Sequence, residues 1–222
     1  MEIRSGQETM MATDASTLLH NKKVPRVIQR QLLAALSHYP ELHATNIRFV
    51  FTQTLRKSVM AARPVVRTLL RGKKHRVYDI LISPVFKLRY SIEPIHQVDD
   101  SVLIGWIGHE LGHILDYEMR SVWGIARFGL LYLLSKRYIR RAERTADTFA
   151  VQRGMGDYIL ATKQFILDHS EFPQRYKDRI ANLYLSPDDI VELVSSLEGE
   201  NSRRQEEILD TEVKTAGHPF SH

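Results

Sequence analysis

The sequence predicts an α+β domain: a small antiparallel or mixed sheet followed by a mainly helical core. Three observations carry this. The runs rich in β-branched and aromatic residues all fall before residue 95. From about residue 101 to 198 the chain reads as one helix after another, with short breaks. At 222 residues, 43% of them hydrophobic, the chain has enough apolar material for one sizeable core. Strands first and helices afterwards argue against the alternation that builds a parallel α/β sheet.

Residues 1–22 are polar, lack a clear period and read as a flexible arm. Residues 23–198 read as a single domain. Val24 to Leu36 has helical spacing, with Val27, Ile28, Leu32, Leu33 and Leu36 as its apolar set, and Pro40 ends it. Ile47 to Phe51 reads as a strand. The basic piece from Lys57 to Arg76 follows. Val77 to Ile82 is a second strand and Val85 to Ile92 a third, joined by Ser83-Pro84 in a hairpin-like link. Asp99 or Asp100 then caps a helix over about 101–118. Further helices are expected near 122–135, 137–153, 157–169, 174–184 and 187–198. Gly154, Gly156 and Ser186-Pro187-Asp188 mark boundaries. Residues 199–222 read as a polar, loose tail.

His109-Glu110-Leu111-Gly112-His113 organises the chemistry. On a helix the two histidines stand one turn apart on one face, a spacing that suits two imidazoles on one tetrahedral zinc. Ile104, Ile107, Leu111, Ile114 and Leu115 share one arc, while His109 and His113 lie on the opposite arc with Val102, Trp106 and Asp116. The histidines therefore lie outside the main aliphatic stripe. A lone histidine on such a helix would read as a hydrogen-bonded core residue; the pentapeptide favours the metal site. Gly105, Gly108 and Gly112 form a strip that predicts a second element at short range.

A catalytic zinc takes three protein ligands and keeps one open position. Glu143 and Asp147 share a face at i and i+4, flanked by the small Ala146 and Ala150. Glu143 suits the third ligand. Asp147 suits the acceptor for the far nitrogen of a ligand histidine. Taken alone, the pair would read as surface ion pairs with Arg140, Arg141 and Arg144. Glu110 is placed to take the proton of a water polarised by zinc and pass it to a leaving amine. The strand 86–91 is a candidate edge for an extended peptide substrate.

Composition sets limits. The chain has no cysteine, so Zn2+ would be held by histidine and carboxylate alone. The net charge of +5 is modest. The basic segment 63–76 is a candidate for peripheral membrane or other anionic-surface contact. It lacks the aromatic interleaving of single-stranded nucleic-acid binders, so nucleic acid is not expected. Residues 1–20 show no secretory h-region. The most apolar run, 122–139, is interrupted by Arg127, Lys136 and Arg137 and falls short of the ~20 residues a spanning helix needs. A cytoplasmic protein is expected, with peripheral membrane attachment as the variant.

The pair His-Glu-Leu-Gly-His and Glu143-x-x-x-Asp147 resembles the gluzincin clan of zinc metallopeptidases. Its closer form, with Glu143-Arg-Thr-Ala-Asp147-Thr-Phe-Ala, resembles the family of HtpX-type and CAAX prenyl proteases, and the soluble minigluzincins are a compact comparison. The resemblance covers about residues 99–185. It implies a zincin-like core with His109, His113 and Glu143 as zinc ligands, Glu110 as general base and acid, and Asp147 as the partner of a ligand histidine. Two departures stand out. Long spanning helices are missing, and Phe172 stands where the family often has a histidine before proline. Arg179 is kept, and His169 or Tyr176 are candidates to assist the oxyanion or substrate. The expected function is a zinc-dependent metalloendopeptidase acting on proteins or peptides. The alternative is a catalytically weak or inactive zinc-binding protein that acts as an interaction or regulatory module. The presence of Glu110 favours the enzyme.

Overall fold

A computed structural model describes residues 15–55, 58–88 and 92–216. The fold is α+β, mainly helical, with a small mixed sheet. Four strands stand in the order β1 (Lys22–Lys23), β2 (Asn46–Phe51), β4 (Val77–Ile82) and β3 (Met60–Pro64). β1 and β2 pair in parallel, as do β2 and β4, while β3 runs antiparallel along the outer side of β4. β4 is an inner strand, and Tyr78 to Ile82 are all buried, which explains its largely apolar sequence; the buried Asp79 pairs with Arg48 of β2 at 2.6 Å.

Two strand expectations change. β3 lies inside the stretch taken as a basic segment. Its Ala, Arg and Pro residues are poor strand formers, and such a sequence survives at a sheet edge because Pro64 has no N–H to leave unpaired. The run 85–92 is not one strand paired to β4. It divides into β5 (Val85–Lys87) and β6 (Ile92–Pro94), which pair with each other as a separate antiparallel ribbon. Residues 89–91, in the middle of the expected substrate edge, lie outside the described residues.

The expected flexible arm is only partly visible, since 1–14 fall outside the described residues. Its last residues are anchored. Lys22 belongs to β1, and its ammonium donates to the carbonyls of Leu42, His43 and Thr45 at 3.0, 2.9 and 2.8 Å. Leu18 is buried.

The helices are α1 (Gln29–Ser37), α2 (Asp100–Glu118), α3 (Val122–Leu134), α4 (Lys136–Ala150), α5 (Gly156–Asp168), α6 (Gln174–Leu183) and α7 (Pro187–Ala216). α1 begins later than its apolar pattern, after a short 3-10 turn over Arg26–Ile28. Ile28, Leu32 and Leu36 are fully buried. Asp99 holds the N-cap position of α2 without a side-chain cap bond, while Asp100 accepts from Gln31 at 2.7 Å and ties α2 to α1. Ser121 and Ser135 do cap, accepting the N–H of Gly124 and Tyr138 at 3.1 and 3.3 Å. Between α4 and α5 the chain bends at Gly154, whose φ of 75° suits glycine. α7 does not stop near 198; it runs to Ala216. Residues 198–208 are all exposed, and the sequence carried no apolar stripe to reveal this part of the helix.

α2 runs through the middle of the molecule. Every residue from Val102 to Tyr117 is buried, including the arc that carries the histidines. The glycine strip explains how. A Cβ on Gly105 would stand 2.1 Å from the Tyr158 carbonyl oxygen of α5, and one on Gly112 would stand 2.5 Å from the Ala146 carbonyl oxygen of α4. Two helices thus meet α2 backbone to backbone, and β3 and α1 cover its other sides. A single apolar cluster joins the sheet, α1, α2 and the helices that follow.

Candidate metal centre

The Gly112–Ala146 approach sets α4 one helix width from α2, and so sets Glu143 against the two histidines. Nε2 of His109 lies 3.1 Å from Oε2 of Glu143, and Nε2 of His113 lies 3.4 Å from the same oxygen. All three residues are buried, and one ligand atom from each falls within 4.8 Å of the others. A tetrahedral zinc with bonds of ~2.0–2.1 Å separates its ligand atoms by roughly 3.3–3.4 Å. The two measured separations bracket that edge. Two imidazole nitrogens and one carboxylate, with no sulfur, are the donor set of a catalytic zinc.

Asp147 stands one turn further along α4. Its Oδ1 is 2.7 Å from Nδ1 of His109, on the side of the ring away from Glu143. Its Oδ2 accepts the backbone N–H of Leu185 at 3.0 Å, and the buried Lys163 ammonium of α5 donates to the carboxylate at 3.1 Å. His113 has no such partner: its Nδ1 is buried without a hydrogen bond. Tyr132 of α3 donates its hydroxyl to Oε1 of Glu143.

Glu110 points to the other side, toward β3. Its Oε2 accepts the backbone N–H of Ala62 at 2.6 Å, and Oε1 has no hydrogen-bond partner among the described residues. A cleft of about 370 Å³ opens here. Glu110, His113 and Glu143 form its floor, Met60 to Pro64 of β3 one wall, and Ile125, Phe128 and Tyr132 of α3 the other, with Arg179 and Tyr184 at the end.

The electrostatics follow from burial and charge. Burial raises the Glu110 carboxyl above its usual range, against the pull of the two histidines. Burial alone would push His109 down, but Asp147 and Glu143 outweigh it and bring the imidazole up to about 10. Glu143 is held well below the usual carboxylate range despite its burial, by His113 and His109. Asp147 is likewise lowered, by Lys163 and His109. Two anions thus face a cationic ring and an ammonium in a dry pocket.

The structure therefore brings His109, Glu110, His113, Glu143 and Asp147 together. Arg179 lines the cleft. Tyr176 lines a smaller recess behind it with His109 and Lys163. His169 is not brought in. It packs among aromatic rings, 5.5 Å from Phe165 and 5.4 Å from Phe172, and its Nδ1 accepts the Glu171 N–H at 3.3 Å. Phe172 belongs to the same buried cluster, stacked 5.5 Å from Tyr176, so the position expected to border the site is core. Lys163, Tyr132 and Tyr184 escaped sequence reading. The Tyr184 ring lies 5.2 Å from His109 and 4.1 Å from the Lys163 ammonium. Lys163 carried a faint signal, a lone cation on the otherwise apolar α5.

Comparison with protein-family models, with curated proteins and with solved structures finds no match for this chain.

Proposed function

We propose that this chain is a zinc-dependent metallopeptidase of the gluzincin type, with a zincin-like core. The observation that carries the reading is the convergence of His109 Nε2 and His113 Nε2 on one oxygen of Glu143, while Glu110, from the same helix, faces an open cleft. His109, His113 and Glu143 are the residues that would hold the metal. A zinc ion there would acidify a bound water and polarise a carbonyl oxygen. Glu110 accepts the water's proton at Oε1 and returns it to the leaving amine; its raised pKa suits a group that must do both. Asp147 fixes the tautomer of His109. Arg179 and Tyr184 lie at the end of the cleft, where donors to a developing oxyanion are needed.

The substrate edge moves from residues 86–91 to β3. Val65 donates its N–H to the Val77 carbonyl and Val59 accepts the N–H of Ser83, so alternation turns the N–H and C=O of Ala62 outward, toward Glu110 and Tyr117. An extended peptide laid along that edge runs past the general base.

Elemental analysis after dialysis tests the reading on wild type, Glu143→Ala and Glu110→Gln, with a casein digest alongside. About one zinc per chain in wild type and Glu110→Gln, less in Glu143→Ala, and cleavage by wild type alone are expected. Zinc without cleavage would favour the zinc-binding interaction module. Wild type without zinc would sink both readings.

A further inference from the structure

α3 carries its apolar residues on the wrong side. Ile125 and Phe128 point into the cleft, as a packed helix requires. The opposite, exposed face presents Trp123, Ala126, Gly129, Leu130, Leu133 and Leu134, with Arg127 as its one charge. Trp123 is 84% exposed, Leu133 82% and Leu134 74%. Met119, just before the helix, is 67% exposed. A soluble surface helix shows the reverse pattern, and a contiguous exposed apolar face marks a contact site.

The charges around this face name the partner. Between Met119 and Ala142 the sequence has no Asp or Glu. Arg127, Lys136, Arg137 and Arg141 are exposed and have no acidic partner among the described residues. A second copy of this face would set those cations against themselves with nothing to pair them. An anionic lipid surface meets both features, taking the apolar side chains among its acyl chains and the cations at its headgroups. α3 has 13 residues, and no helix among the described residues is long and apolar enough to cross a membrane. We propose that α3 lies flat on an anionic bilayer surface, with Trp123 and the leucines inserted at the headgroup boundary.

This adds α3 to the contact expected in 63–76. Part of that segment is internal: Arg76 is buried and donates to the Arg120 carbonyl at 2.9 Å. Beyond β3, however, Val66 and Leu70 are 76% and 86% exposed beside the exposed Arg67 and Arg71. Both walls of the cleft thus continue into exposed apolar and basic surface. Gly129 and Leu133 belong to the cleft lining and to the exposed face of α3 alike. The cleft mouth therefore opens beside the lipid, and the substrates are chains held at a membrane surface. This last step rests on the peptidase reading; the docking surface does not.

Co-sedimentation with vesicles of phosphatidylcholine, and of phosphatidylcholine mixed with phosphatidylglycerol, tests the proposal, with tryptophan emission read in parallel. Of the two tryptophans Trp106 is buried, so a blue shift on mixing reports Trp123. Binding to the anionic mixture, weakened by salt and accompanied by the shift, is expected. Leu130→Ser with Leu134→Ser, both on exposed positions outside the cleft, should abolish the shift and weaken binding by about tenfold or more. Lys136→Glu with Arg137→Glu should weaken binding to the anionic vesicles by about tenfold or more. Glu110→Gln should bind like wild type while losing hydrolysis, and wild type that binds vesicles yet cleaves nothing keeps the surface and removes only the peptidase reading. Absence of vesicle binding in wild type, or binding that these substitutions leave unchanged, overturns the proposal. So does a concentration-dependent doubling of mass in sedimentation that Leu134→Ser abolishes, which would make the face an interface between copies.

Discussion

Oδ1 of Asp147 lies 2.7 Å from Nδ1 of His109, and the same carboxylate holds the Lys163 ammonium at 3.1 Å. One fully buried anion thus orients His109, a ligand in the proposed zinc site, and neutralises a lysine from another helix. Its two roles separate by substitution. Asp147→Ala leaves Lys163 buried without its counter-ion, which costs about 3–5 kcal/mol of stability. Loss of the histidine's partner weakens zinc binding by about 10–100-fold. Adding Lys163→Met should restore most of the stability and none of the zinc affinity. Urea unfolding and competition with a chelator read the two quantities. Recovery of both together would mean that Asp147 acts on the metal only through the fold.

Gly112 is the contact on which the geometry of the His109, His113 and Glu143 cluster depends. A Cβ there would stand 2.5 Å from the Ala146 carbonyl oxygen, and backbone cannot swing aside. Gly112→Ala should push α4 from α2, cost about 1–3 kcal/mol and loosen the Glu143 ligand. Gly108 is the control. A Cβ there meets only the thioether end of Met155, which can rotate away, so Gly108→Ala should cost less and spare zinc binding. Equal losses at the two sites would remove the argument.

The outward N–H of Ala62 donates to Glu110 at 2.6 Å. Ala62→Pro deletes this donor, while the bonds of Val59 and Val65 to β4 remain. Zinc content should hold and peptide turnover fall about tenfold or more, the scale of a hydrogen bond to a charged group. The circular dichroism spectrum serves as the control for folding. Full turnover in the proline variant would detach β3 from the chemistry.

The motif residues were legible because helical spacing alone puts His109 with His113, and Glu143 with Asp147. The glycine strip gave the close approach of another helix, and Ala146 marked where. What the sequence hid was everything that depends on register between distant segments. β3 was masked by Arg63 and Pro64, which read as breakers until a sheet edge accommodates them. Lys163 and Tyr132 reach the site only because α5 packs on α2 and α3 on α4 in one register. The ribbon β5–β6 read as a single strand because the sequence alternation continues from Val85 to Ile92.

The charge cage also fixes a pH response. In the metal-free protein the His109 imidazolium, up to about 10 against an ordinary 6.5, is stabilised by folding. Its contribution is complete below about pH 6.5 and is lost as pH rises through 10. Glu143 and Asp147 are lowered from 4.5 and 3.8, so their contribution is present above those values and is lost as pH falls below them. For these three groups metal-free stability peaks at about pH 5–6.5 and declines toward pH 10, and Glu110, raised by burial, adds a loss as pH rises above 4.5. Zinc requires the same ring without its proton. Binding should release a proton near neutrality, and affinity should climb roughly tenfold per pH unit while His109 is the group being deprotonated. Calorimetry in buffers of different ionisation enthalpy counts that proton, and chelator competition at several pH values gives the slope. A flat affinity profile with no proton release would show that His109 is already neutral, and that Asp147 serves to orient the ring without holding a charge on it.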